Sequence, residues 1–336
     1  MTEPVLKNLT MPPKAGQHEL YRWCDYIELR CLTHMDHRFS RDALVESIAE
    51  NHDTDADVSL NEAHEDDDDQ GADDEEVARV NDRHEQHSAF CFKHLRWRDS
   101  VFAEHWPFTL DEHANEIRMK PDLSDAHRFY LSLLMSASLR YVHLKRWRGL
   151  TGLFEKASTE IMKGLMPRGA EVHPFGAAET TRYKGHLFDR LTQLAKDVRG
   201  SLNLKKSHFS AHDSGDGGLD IVAWHSLGDE RAGMPIAFAQ CGCTATGWPD
   251  KMLQASPSHL GAHLNTLHDW TTYYFMPLDL STEIDGSMDW QMRSDFGSAI
   301  VVDRLRFIRL AAKFTIPTAP ITAHEHVNEA QALKLS

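Results

Sequence analysis

Apolar positions recur three and four residues apart through much of the first half of the chain. That period belongs to helices burying one face. Residues 16–50 and 77–165 therefore read as helical. Residues 124–146 begin with Ser124 or Asp125 as a cap and continue through Phe129, Leu131, Leu134, Ala137, Leu139 and Val142. Residues 151–165 form a further amphipathic stretch, bounded by Gly149 and the Pro167-Arg168-Gly169 break. From Glu171 the pattern changes. Residues 181–198 predict a helix with Leu187, Phe188, Leu191, Leu194, Ala195 and Val198 on one side. The short apolar runs 219–224 and 235–240 predict buried strands. Residues 249–254 and 257–270 predict helices with Pro at early positions, residues 271–277 a strand, and residues 298–313 a helix carrying Ile300, Val301, Leu305, Ile308 and Leu310. The order helix, strand, strand, helix, strand, helix predicts an α/β or α+β domain over residues 169–316. It follows a mostly helical region, residues 1–168, and precedes an irregular tail, residues 317–336.

A chain of 336 residues with 41% hydrophobic content has room for two ordinary domains. No run of eighteen apolar residues exists, so no membrane-spanning helix and no membrane partner are expected. Residues 1–16 lack an apolar signal-peptide core. The cysteines Cys24, Cys31, Cys91, Cys241 and Cys243 are few and odd in number, which predicts reduced thiols and a cytoplasmic location. The net charge of −15 argues against a nucleic-acid partner, but it is unevenly spread. Residues 51–76 hold thirteen of the 51 acidic residues and no Lys or Arg, leaving 38 acids against 36 bases elsewhere. This self-repelling segment predicts a disordered, solvated insertion. A sharper reading makes it a polyanionic mimic of DNA lying in a basic groove.

Residues 214–243 are the most specific stretch: SGDGGLDIVAWHSLGDERAGMPIAFAQCGC. A glycine-rich turn leads into a strand carrying Asp220, then a polar hairpin, then an apolar strand ending at Gln240. Asp213 and Asp216 beside Gly217-Gly218 suit turn chemistry. Asp220 differs, because Leu219, Ile221 and Val222 surround it in sequence. A carboxylate in an apolar strand needs a partner, either a metal ion or an Arg or Lys.

With a helix containing Gly185, Phe188 and Asp189 ahead of it, and Gln240 ending the next strand, this stretch resembles the PD-(D/E)XK nuclease superfamily. The likeness is to its Mrr-like restriction and Holliday-junction-resolvase branches and covers roughly residues 180–255. It implies a restriction-endonuclease-like domain, with a central mixed sheet flanked by helices, that cleaves DNA with Mg²⁺ or Mn²⁺. Asp220 would be the bridging carboxylate, Gln240 a neutral oxygen ligand, and the Cys241 carbonyl a third. Asp189 or Glu179 would be the helix acid. Gly242 stands where the family has its Lys, and Lys251 is the relocated candidate. The resemblance also implies bacterial defence against foreign DNA, beside a separate ATPase or another defence-system subunit. A homo-oligomer is compatible with it. The alternative is a catalytically inactive nuclease-fold subunit that scaffolds nucleic acid or a protein complex.

Arg140, Lys145, Arg146 and Arg148, with Trp147, form a basic cluster suited to phosphate contact or to an ordinary helix terminus. His212 and His225 flank the proposed site and are candidates for proton transfer. Cys24, Cys31, His34 and His37 invite a zinc reading, although their spacing matches no common site. Cys241 and Cys243 invite a thiol-enzyme reading, although small buried hydrophobes explain them as well.

Overall fold

The structure, a computed structural model, describes residues 3–14, 16, 19–59, 70–111, 113–176, 182–208 and 217–335. The chain divides into two units. One comprises Met1–Arg146, Thr282–Asp289 and His324–Ser336; the other comprises Trp147–Ser281 and Trp290–Ala323.

The first unit is built around α1 (Leu20–Thr33), which buries eleven of its fourteen residues. Around it stand β1 (Arg38–Ser40), α2 (Arg41–Ser59), α3 (Gln70–Phe102), β2 (Phe108–Asp111), β3 (Glu116–Met119) and α4 (Asp125–Ala137). The three strands form an antiparallel sheet in the order β1-β3-β2. Ser124 caps α4 by accepting the His127 N–H at 3.2 Å, while the His127 ring accepts the Ser124 N–H. Arg98 on α3 is fully buried and pairs with Asp25 at 2.8 Å and Glu28 at 2.9 Å. Tyr130 and Trp106 donate to the same Glu28 carboxylate. A buried guanidinium needs such pairing to offset its desolvation.

The second unit takes α5 (Leu144–Leu165) from Trp147 onward, followed by β4 (Glu171–Pro174), α6 (Leu187–Asp197), β5 (Ser201–Leu202), β6 (Ile221–Trp224) and β7 (Ile236–Cys241). Then come α7 (Trp248–Met252), α8 (Pro257–Leu260), β8 (Leu264–Asn265), β9 (Thr271–Phe275), β10 (Ser281–Ile284), β11 (Ser287–Trp290), β12 (Ile300–Val302) and α9 (Arg304–Lys313). The hairpin tip Thr282–Asp289 groups with the first unit. Among the described residues, five strands form a mixed sheet in the order β12-β9-β7-β6-β4. The β4, β6 and β7 strands pair antiparallel, while β7, β9 and β12 run parallel. The α/β class is therefore as expected, with a central mixed sheet flanked by helices.

Alternation assigns the two faces of the sheet. Val222, Trp224, Ile236 and Phe238 join Leu191 and Leu194 of α6 in one buried cluster. On the other face Phe275 meets Phe307 of α9, and Phe307 meets Phe154 of α5. Helices thus cover both sides, as a sheet containing parallel strands requires.

Several expected elements differ. Residues 51–76 are not wholly irregular: α2 runs to Ser59 and α3 begins at Gln70, because Ala and Glu are good helix formers and extend neighbouring amphipathic turns. Residues 60–69 lie outside the described residues. The 124–146 helix breaks after Ala137 and restarts at Leu144. The expected boundary at residue 168 falls instead at 146/147, because α5 packs on the second sheet. Residues 257–270 hold only the short α8 and then β8, and residues 300–302 form β12 before Asp303 caps α9. The tail contains α10 (His324–Gln331), which buries Val327 and Ala330 in the first unit.

Asp303 is 1% exposed, and accepts N–H bonds from Arg306 at 3.0 Å and Leu280 at 3.2 Å. Burial, then the neighbouring Asp279 carboxylate, push its pKa up to about 7. The folded chain therefore holds a proton that the unfolded chain releases near 3.8. Stability from this group is full below the unfolded pKa and disappears as the pH rises through the folded one. Urea unfolding of wild type and Asp303→Asn should show the wild type losing stability relative to the variant between about pH 4 and 7.

Candidate functional site

The site lies where β6 and β7 end. The Asp220 N–H donates to the Ala239 carbonyl at 3.0 Å, although Ala239 is the register partner of Ile221. Asp220 and Ile221 thus both face one residue of β7, the offset that a β-bulge introduces. Unbroken pleating would turn Asp220 to the side of Val222 and Gln240. The offset re-aims it. Its Oδ2 accepts the Cys241 N–H at 2.7 Å, a strand donor just beyond the last paired residues. Its Oδ1 lies 3.3 Å from the point that a Cβ on Gly176 would occupy.

Glu155 of α5 places Oε2 4.0 Å from the same point. Gly176 directly follows Phe175, whose N–H donates to the Asp220 carbonyl at 2.7 Å. Two carboxylates on different elements therefore approach Gly176 where a side chain would crowd the Asp220 oxygen. Cys241 lies beside Ser158 of α5.

Charge around the strand end is shared. Burial pushes the Cys241 thiol well up, and the Asp220 carboxylate adds to it. Burial likewise raises the Cys243 thiol, the Glu155 and Asp220 charges add to that, and the Lys251 ammonium opposes them. Lys251 on α7 thus acts on the same neighbourhood as both carboxylates. Among the described residues its ammonium has no ion-pair partner. Both thiols are held protonated, the opposite of what a cysteine nucleophile needs.

The sequence-predicted residues separate into those the structure gathers and those it does not. Asp220, the Cys241 backbone and Lys251 stand around the end of β7. Gln240 turns to the Phe238 side of the sheet. Its amide pairs with Gln254 at 2.8 Å and, turned over, donates to the Lys251 carbonyl at 2.9 Å and the Gly218 carbonyl at 3.1 Å. It ties the glycine loop to α7, whereas Asp220 turns towards Glu155. Asp189 sits in the first turn of α6 beside Gly185, 4.0 Å from Lys206. Glu179, His212, Asp213 and Asp216 lie outside the described residues. The His225 ring nitrogen Nδ1 is buried without a partner.

Glu155 was missed. It stands on a helix whose apolar stripe continues the helical character of the preceding region, and only packing places α5 in the second unit. Gly242 also has a clear reason. A Cβ there would collide with the Tyr274 hydroxyl, which is buried and has no hydrogen-bond partner among the described residues.

The basic cluster is largely neutralised locally. Arg140 lies over Tyr141 and donates to the Pro12 carbonyl. Lys145 pairs with Glu3 at 3.2 Å, and Arg146 pairs with Glu329 at 3.0 Å. Arg148, in the other unit, is exposed. The zinc reading also loses its ligands. Cys24 donates to the Cys91 carbonyl, Cys31 to the His37 carbonyl, and the His37 ring bonds the Leu32 carbonyl. Among the described residues no three His, Cys, Asp or Glu side chains form a metal cluster, and no helix is long and apolar enough to cross a membrane. Compared with known proteins, the chain matches no family model, no curated protein and no solved structure.

The orphaned hydroxyl and the tight glycine make a direct test. Tyr274→Phe should stabilise the chain by about 1 kcal/mol, because it removes an unsatisfied buried group. Gly242→Ala should destabilise it by about 1–3 kcal/mol through overpacking. Urea unfolding measures both. Equal stability in the two variants would contradict the contact.

Proposed function

We propose that the chain hydrolyses phosphodiester bonds of DNA with a divalent metal ion, using Glu155 and Asp220 as the acidic pair and Lys251 as the nearby cation. One observation carries the reading: an Asp220 oxygen and a Glu155 oxygen, from different elements, lie 3.3 Å and 4.0 Å from the position a Cβ on Gly176 would take. The donor set fits the ion. Mg²⁺ prefers hard oxygens and is held by one or two carboxylates together with substrate phosphates and water. When bound, such an ion supplies charge neutralisation at phosphorus and lowers the pKa of an attacking water.

The chain's own groups do the rest. The Cys241 N–H fixes one Asp220 oxygen, and the other lies on the side of Gly176. Glu155, on a separate helix, sets the second wall and accepts a proton from water if it is the base. Lys251 offers its ammonium to the phosphate as negative charge grows there. The neutral thiols of Cys241 and Cys243 line the strand end without competing as anions. Gln240 holds the glycine loop and α7 in register.

A second reading has its own support. The Tyr274 hydroxyl fills the place where a side chain on residue 242 would leave the strand. The nearby lysine must therefore come from α7, and a chain in which it does not reach the phosphate is an inactive nuclease-fold subunit that scaffolds DNA or a protein complex.

Incubating the full chain with plasmid and linear DNA in Mg²⁺ or Mn²⁺ tests the proposal. Wild type should cleave. Asp220→Asn and Glu155→Gln, folded by circular dichroism, should each lose at least about a hundredfold, since each removes a charged metal ligand. Lys251→Ala should lose about tenfold or more, as expected for an electrostatic contact. Undiminished cleavage by Glu155→Gln overturns the assignment, and DNA binding without cleavage in the wild type supports the scaffold reading instead.

A further inference from the structure

A cavity of about 550 Å³ in the first unit is lined by aromatic rings and by charges of both signs. One wall is a stripe of α3 carrying Phe90, Lys93, Arg96 and Trp97, spaced so that they share one helix face. The opposite wall is the hairpin tip with Glu283 and Asp285.

Phe90 is 59% exposed, a large apolar ring presented to solvent beside two cations. Trp97 is partly buried, and its indole N–H has no acceptor among the described residues. Lys93 and Arg96 are exposed. Among the described residues neither forms an ion pair, although Glu283 and Asp285 line the same cavity. The charges of both signs thus face the space rather than each other.

We infer that this cavity binds a mononucleotide. An aromatic ring flanked by cations is the arrangement that stacks a base and neutralises its phosphate. The carboxylates of Glu283 and Asp285 are acceptors only, and suit the ribose hydroxyls as donors. A cavity of this volume lies within the range of small-molecule sites. The stack belongs to Phe90 and Trp97, the phosphate to Lys93 and Arg96, and the ribose to the hairpin.

Calorimetric titration of the full chain with adenosine 5′-monophosphate tests the assignment, with inorganic phosphate and adenosine as separate probes. Saturable binding is expected for the monophosphate, at least tenfold tighter than for either fragment. Phe90→Ala should weaken it at least tenfold, and so should the double variant Lys93→Ala, Arg96→Ala. All of these residues are at the surface, so melting curves should coincide with wild type. No saturation by millimolar nucleotide overturns the inference. So does unchanged affinity in Phe90→Ala, or equal affinity for inorganic phosphate alone.

Discussion

The hydrogen bond from the Cys241 N–H to the Asp220 carboxylate organises the candidate site. It exists because the ladder between β6 and β7 slips by one residue at Asp220. The backbone acceptor that regular pairing would offer Cys241 is replaced by a side-chain oxygen. That replacement keeps a strand N–H satisfied. It also carries a carboxylate across the sheet edge to the face covered by α5. Without the slip, Asp220 would lie beside Gln240 among the residues packed under α6. With it, Asp220 and Glu155 meet at Gly176.

This slip explains what could and could not be read from the residues alone. Asp220 was legible because an acidic residue between Leu219 and Ile221 has few structural excuses. The strands on either side were legible from their apolar runs, and α6 from its stripe. Gln240 stood as a partner through the family resemblance alone, and alternation would place it opposite Asp220. Alternation assumes an unbroken ladder, and a single extra residue reverses the face. Glu155 was hidden for a different reason: it sits on a long helix whose pattern continues the helical character of the preceding region, and only packing assigns that helix to the second sheet. The short strands β4 and β12 were hidden because four and three residues give no period to detect.

The acidic segment shows the limit of composition. Thirteen carboxylates in 26 residues suggested irregular chain, yet α2 and α3 extend into it from both sides. Charge density disfavours a packed core, but it does not prevent helices that begin in amphipathic turns. Gly242 is the converse case. It read as a lost lysine, and the contact with Tyr274 shows a close approach that only glycine permits.

Metal uptake is the most direct measure of whether the Glu155–Asp220 pair is a site. Titration of the full chain with Mn²⁺, followed by electron paramagnetic resonance, should show saturable binding that Glu155→Gln weakens by at least tenfold. Binding that is absent in the wild type, or that Glu155→Gln leaves unchanged, would contradict the account.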